Sequence, residues 1–153
     1  MLYVDTSALV KLYIRETLSK EIADFLKRRN QPVPLTRFHE LEFSNALRLK
    51  CYRAELAETE AEGILSRFKS HEEAGIYIRP PLEWPIVFDF ALHLSARHTK
   101  TIGTRSLDIL HVASALAIQA GSFLTLDERQ ADLAHSSGLK VPSVSIHEKR
   151  PLP

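Results

Sequence analysis

Apolar residues follow two alternating patterns along this chain: short unbroken runs, and longer stretches in which they recur every three or four positions. The unbroken runs are Leu2, Tyr3 and Val4, then "PVPLT" at 32–36, "IYI" at 76–78 and "SFLTL" at 122–126. Runs of that length next to Pro, Gly and Asp predict strands. The periodic stretches predict helices over about 7–14, 18–29, 37–53, 56–70 and 128–136, and over "PIVFDFALHLSARHT" and "SLDILHVASALAIQA". Gly121 and Gly138 stop the helices before them, and a last short strand is expected near "LKVPS".

Strands alternating with helices predict βαβ units, hence an α/β fold of three α/β/α layers around a short central parallel sheet. Unbroken apolar strands fit a sheet covered on both faces. The 153 residues suit a single domain, expected over 1–146 with a C-terminal tail at 147–153. Ligand sites in such folds lie beyond the carboxyl ends of the strands. Asp5 ends the first strand and Asp127 follows "FLTL", so two carboxylates are expected on that edge.

Composition narrows this only a little. Hydrophobic residues make up 44% and charged residues 25%, ordinary values for a globular protein. No apolar run approaches the ~20 residues of a membrane span, and no basic stretch leads into an apolar one at the N-terminus, so no membrane partner is expected. Cys51 is the single cysteine, which excludes an internal disulfide and favours the cytoplasm. Lys and Arg number 20 against 19 Asp and Glu, a net charge of +1, so the sum of charges neither announces nor excludes a nucleic-acid partner.

The acids carry the candidate chemistry. Asp5 has a reading as a helix-entry residue, but Thr6 and Ser7 serve that purpose equally well. Asp127 heads "DERQ", a capping box with Gln130, so cap and site readings stand level there. Asp108 interrupts an almost wholly apolar helix beside Leu107, Ile109 and Leu110. A carboxylate so near a core needs a partner, and a bound cation would supply one. Glu40 and Glu42 share a helix: spacing sets Glu42 on a stripe with Phe38, Asn45, Ala46 and Leu49, and Glu40 nearer Arg37 and Ser44. The seven histidines give no zinc spacing, and His111 reads as a satisfied core histidine. No phosphate-binding glycine loop and no nucleophile elbow is present.

Four stretches, "YVDTSALVKLY", "ELEFSNALRLK", "TRSLDILHVASAL" and "FLTLDERQADLA", together resemble the acidic motifs of PIN-domain ribonucleases, most of all the VapC-type toxins of toxin–antitoxin pairs. The resemblance runs from Met1 to about Val144. It implies a PIN-like fold and a Mg²⁺-dependent ribonuclease, Mn²⁺ substituting, with Asp5, Glu42, Asp108 and Asp127 as catalytic and metal-binding acids. It implies support from Asn45 beside Glu42 and from Thr125 two residues before Asp127, with Thr6 following Asp5. Asp5 and Asp108 are the expected direct ligands, while Glu42 and Asp127 direct waters or a second ion. RNA as substrate, a cognate antitoxin and a homodimer are the implied partners. Arg48 and Arg105 are candidates to follow the RNA backbone.

Two other classes use related features. Phosphoacceptor receivers need an acidic pair after the first strand and aspartyl phosphatases need D-x-D; Asp5-Thr6-Ser7 fits neither. A non-catalytic RNA- or protein-binding module has no reason to keep four acids. An RNA-processing nuclease outside any toxin pair remains the alternative.

Overall fold

The computed structural model describes residues 1–144. Along the chain come β1 (Leu2–Val4), α1 (Thr6–Val10), α2 (Ser19–Arg29), β2 (Val33–Pro34), α3 (Arg37–Tyr52), α4 (Glu58–Glu73), β3 (Tyr77–Ile78), α5 (Trp84–Ile102), α6 (Ser106–Ala117), β4 (Ser122–Leu124) and α7 (Glu128–Ser136). The chain is a mostly helical α/β protein with a small parallel strand system. The expected domain end at 146 and the tail at 147–153 lie outside the described residues. Among those described, no helix is long and apolar enough to cross a membrane.

Several elements are smaller than the sequence pattern predicts, β2 and β4 keeping two and three of five expected residues. Regular helix in α1 stops at Val10 and continues as turns through Tyr13. The strand expected at "LKVPS" reduces to one parallel bridge between Lys140 and Ser122. Elsewhere the local chemistry sets the boundaries. Thr36 caps α3 by accepting the His39 backbone N–H, while the His39 ring accepts the Thr36 N–H at 3.0 Å. Gly103 takes the left-handed conformation (φ 74°) that ends α5.

The expected central sheet is interrupted. β1 pairs in parallel with β4, β2 pairs in parallel with β3, and no ladder joins β1 to β2 although the two lie together. The cause is local. Val33 and Leu35 direct their N–H groups to Ile76 and Ile78, so Pro34 faces the other side and has no N–H to give. On the facing strand, the Val4 carbonyl accepts from His39 Nε2 at 3.0 Å instead. A histidine side chain thus replaces a ladder bond.

β1 nevertheless organises both halves of the core. Leu2 and Val4 join the cluster built by α1 to α4, with Leu9, Ile22, Phe43 and Ile64. Tyr3, pointing the opposite way, joins the cluster built by α5 to α7, with Val87, Val112, Phe123 and Leu133. Because β1 and β4 run parallel, their carboxyl ends emerge side by side. The Asp5 N–H extends the ladder to the Leu124 carbonyl at 2.8 Å and so sets Asp5 next to Thr125.

Candidate functional site

Beyond those strand ends lies a cleft of about 290 Å³. Asp5, Glu42, Asp108 and Asp127 all line it, delivered by the end of β1, by α3, by α6 and by the start of α7. Asp5 stands at the N-cap position of α1, but its side chain makes no capping bond. It is only 6% exposed and accepts instead from Ser7 Oγ and from Thr125 Oγ1, the latter at 3.3 Å. Thr125 also accepts the Asp127 N–H at 3.1 Å, so one hydroxyl ties two acids together. Asp127 does cap α7, taking the Gln130 N–H at 3.0 Å. Asp108 accepts the Arg105 N–H at 3.1 Å, and the Arg105 guanidinium reaches both Asp108 (3.4 Å) and Asp127 (3.7 Å). The partner that Asp108 needs is therefore supplied, as the protein stands, by Arg105.

Glu42 is held from two sides. Thr6 Oγ1 donates to its Oε2 at 2.7 Å, and His111 Nε2 contacts the same oxygen. His111 Nε2 also lies 3.3 Å from Asp5 Oδ1, while its Nδ1 meets the Tyr3 hydroxyl at 2.9 Å. Burial, followed by the charges of Asp5 and Glu42, pushes the Tyr3 hydroxyl well above its ordinary value. Tyr3 keeps its proton and can donate it to Nδ1, an arrangement in which an Nε2–H faces the two carboxylates. His111 is buried and bonded, as expected of a core histidine, yet its partners belong to the site.

Other residues fall outside the cleft. Asn45 is exposed and does not line it. Arg48 lines a separate groove with Cys51, Tyr52 and Leu65. Glu40 turns away into a surface network, paired with Arg37 at 2.8 Å and Arg79 at 3.2 Å. A larger cavity of about 590 Å³ lies elsewhere, lined by residues such as Leu12, Tyr13, Leu26, His71 and Tyr77, and no acid lines it. Tyr3, Ser7 and Gln130 were not expected in the acidic site. The signal for His111 and Gln130 was present: each lies three residues after an acid, at Asp108 and Asp127, and so on the same helix face.

The donor set is oxygen-rich, which suits a hard cation. Among the described residues, no three His, Cys, Asp or Glu side chains gather closely enough to form a direct cage. That is compatible with Mg²⁺, which is typically held by one or two carboxylates and keeps several waters. A second observation points the same way. Gln130 lines the cleft, is 1% exposed, and its Oε1 has no hydrogen-bond partner. An orphaned buried acceptor beside four carboxylates fits a hydrated cation, whose waters are donors.

No family model matches the chain, and no curated protein matches it. Among solved structures, it is similar to a chain in the crystal structure of FitAcB from Neisseria gonorrhoeae, with a TM-score of 0.65. The match covers 94% of this chain and 97% of that one at 14% identity, and at that identity the shared property is the fold.

Proposed function

We propose that this chain is a divalent-cation-dependent ribonuclease with the three-layer PIN-like fold, and that it acts in the cytoplasm as the toxin of a pair neutralised by an antitoxin protein. The observation that carries the proposal is the convergence of Asp5, Glu42, Asp108 and Asp127, from four separate elements, on one cleft at the strand ends. Asp5 and Asp108 would hold Mg²⁺, with Glu42 and Asp127 accepting from its waters. When bound, the cation supplies hydroxide near neutral pH, polarises a phosphoryl oxygen and stabilises the leaving oxygen.

The chain's own groups prepare that chemistry. Thr6 and His111 fix Glu42, while Ser7 and Thr125 fix Asp5. These hydroxyls are already committed as donors to carboxylates, so water is the nucleophile the cleft favours. Arg105, 74% exposed at the cleft mouth, has the fork of donors that binds a phosphate. For partners, exposed apolar residues on the two flanks of α5, Ile86 with Phe90 on one and Phe88 with Leu92 on the other, offer surface to a second copy or an antitoxin.

The test is cleavage of RNA by purified protein with MgCl₂ and with EDTA. Asp5→Asn and Asp108→Asn are each expected to abolish cleavage while the circular dichroism spectrum stays native. Full cleavage by folded Asp108→Asn would overturn the assignment. A chain that cleaves RNA but is harmless when expressed alone would favour a processing nuclease.

A further inference from the structure

We propose that Gln130 is a positioning residue of the acidic cleft, its amide oxygen accepting a hydrogen bond from a water of the bound cation. The proposal rests on the cation reading above. Gln130, Leu133 and Ala134 form the buried face of α7, so the amide occupies a position where an apolar side chain would pack without penalty. Asp127 Oδ1 holds the Gln130 N–H at 3.0 Å, which fixes the residue at the first turn of the helix, against the cleft. Its Oε1 is buried without a protein donor, a state that calls for a water or an ion as partner.

No neighbour supplies that donor: the guanidinium that lines the cleft, Arg105, is directed at Asp108 and Asp127. Carboxylates only accept. Thr6 and Ser7, the hydroxyls that line the cleft, donate to Glu42 and Asp5. What fits is a water, and a buried water needs two to four polar partners. Gln130 Oε1 and the surrounding carboxylates provide them. A water on a divalent cation is also more acidic than bulk water and so a better donor. An amide accepts without adding to the crowded negative charge, so it costs less than a fifth acid in the metal-free protein.

Titration calorimetry of the full chain with MgCl₂, with thermal melts in EDTA, tests this on Gln130→Met and Gln130→Glu. Gln130→Met keeps the side-chain length and removes the acceptor. It is expected to melt in EDTA at or above the wild-type temperature and to bind Mg²⁺ about tenfold more weakly. Gln130→Glu restores an acceptor and is expected to bind at least as tightly as wild type. Mg²⁺ affinity unchanged in Gln130→Met would make Gln130 a packing residue and overturn the proposal. If Gln130→Met does not fold, Gln130→Leu, which also lacks the acceptor, takes its place: weaker Mg²⁺ binding supports the role, and unchanged binding overturns it. Absence of Mg²⁺ binding by the wild type would remove the cation reading itself, a result distinct from unchanged affinity in the variant.

Discussion

Glu42→Gln is the cleanest perturbation of the acidic cleft. Both bonds to Glu42, from Thr6 and from His111, fall on Oε2. A glutamine whose amide oxygen takes that place keeps both and loses only the charge. A like charge shares that histidine: Asp5 Oδ1 is 3.3 Å from the same His111 nitrogen. Two carboxylates about 5–6 Å apart repel by roughly 3 kcal/mol at an effective dielectric of about 20. The His111 N–H between them offsets part of this, leaving about 1–2 kcal/mol. For a chain of this size that is roughly 2–8 °C in melting temperature. Metal-free Glu42→Gln is therefore expected to melt above wild type by that amount.

Mg²⁺ is expected to narrow or reverse that difference. A ligand that binds only the folded state at ~100 times its dissociation constant stabilises by about 2.7 kcal/mol, or roughly 5–11 °C here. Wild type is expected to gain that increment, and Glu42→Gln a much smaller one. Scanning calorimetry of both proteins, in EDTA and in excess MgCl₂, gives the four temperatures. A metal-free Glu42→Gln that melts below wild type would refute the repulsion argument. A variant that keeps the full Mg²⁺ gain would remove Glu42 from the site.

Three further outcomes are expected. Glu40→Gln should retain RNA cleavage where Glu42→Gln loses about a hundredfold, since Glu40 is engaged with Arg37 and Arg79; equal losses in a cleavage assay would show the wrong helix face was chosen. Arg105→Gln should bind Mg²⁺ up to about fivefold more tightly, by freeing Asp108 and Asp127, and should lower the salt dependence of RNA binding by about one counterion. Burial, then the charge of His111, lowers the pKa of His39 well below its ordinary value despite its bond to Val4, so below about pH 6.5 the unfolded chain takes up a proton that the folded chain refuses. Stability should then fall on acidification by about 1.4 kcal/mol per pH unit from this residue, and denaturant titrations of His39→Gln from pH 7.5 to 5.0 should lack that component.

The elements were legible because their patterns are local. The apolar pattern marks α3, α5 and α6, although α5 runs on past the expected stretch to Ile102, where Gly103 stops it. The break in the sheet was not legible, because it depends on a meeting between distant residues. Pro34 withholds an N–H and His39 reaches across to the Val4 carbonyl, and nothing in "PVPLT" announces that pairing. In the cleft, the acids could be ranked one by one, but their partners could not. Asp108 was expected to need a counter-charge, and spacing alone did not say that Arg105, three residues earlier, supplies it. Asn45 shows the converse limit, since its place on the Glu42 stripe did not bring it into the cleft.

What distinguishes this cleft from an ordinary acidic patch is how its donors are distributed. Solvated surface carboxylates rotate freely, whereas here Asp5 and Glu42 are gripped by groups on other elements and Asp108 by the N-cap residue of its own helix. Thr6 and His111 hold one oxygen of Glu42, Ser7 and Thr125 hold one oxygen of Asp5, and the Arg105 backbone and guanidinium hold one oxygen of Asp108. The remaining oxygens of Glu42 and Asp108 are thereby oriented without being used. Orienting acids in advance lowers the entropy lost when a ligand arrives, which is the general route by which a rigid site gains affinity. The same donors explain how one buried imidazole, read at first as core, comes to matter. Tyr3 is stacked on Phe123 and fully buried, so His111 is anchored through Nδ1 to the rigid half of the core while Nε2 meets the acids. The packing of α5 to α7 is in this way transmitted to Glu42, a residue on α3.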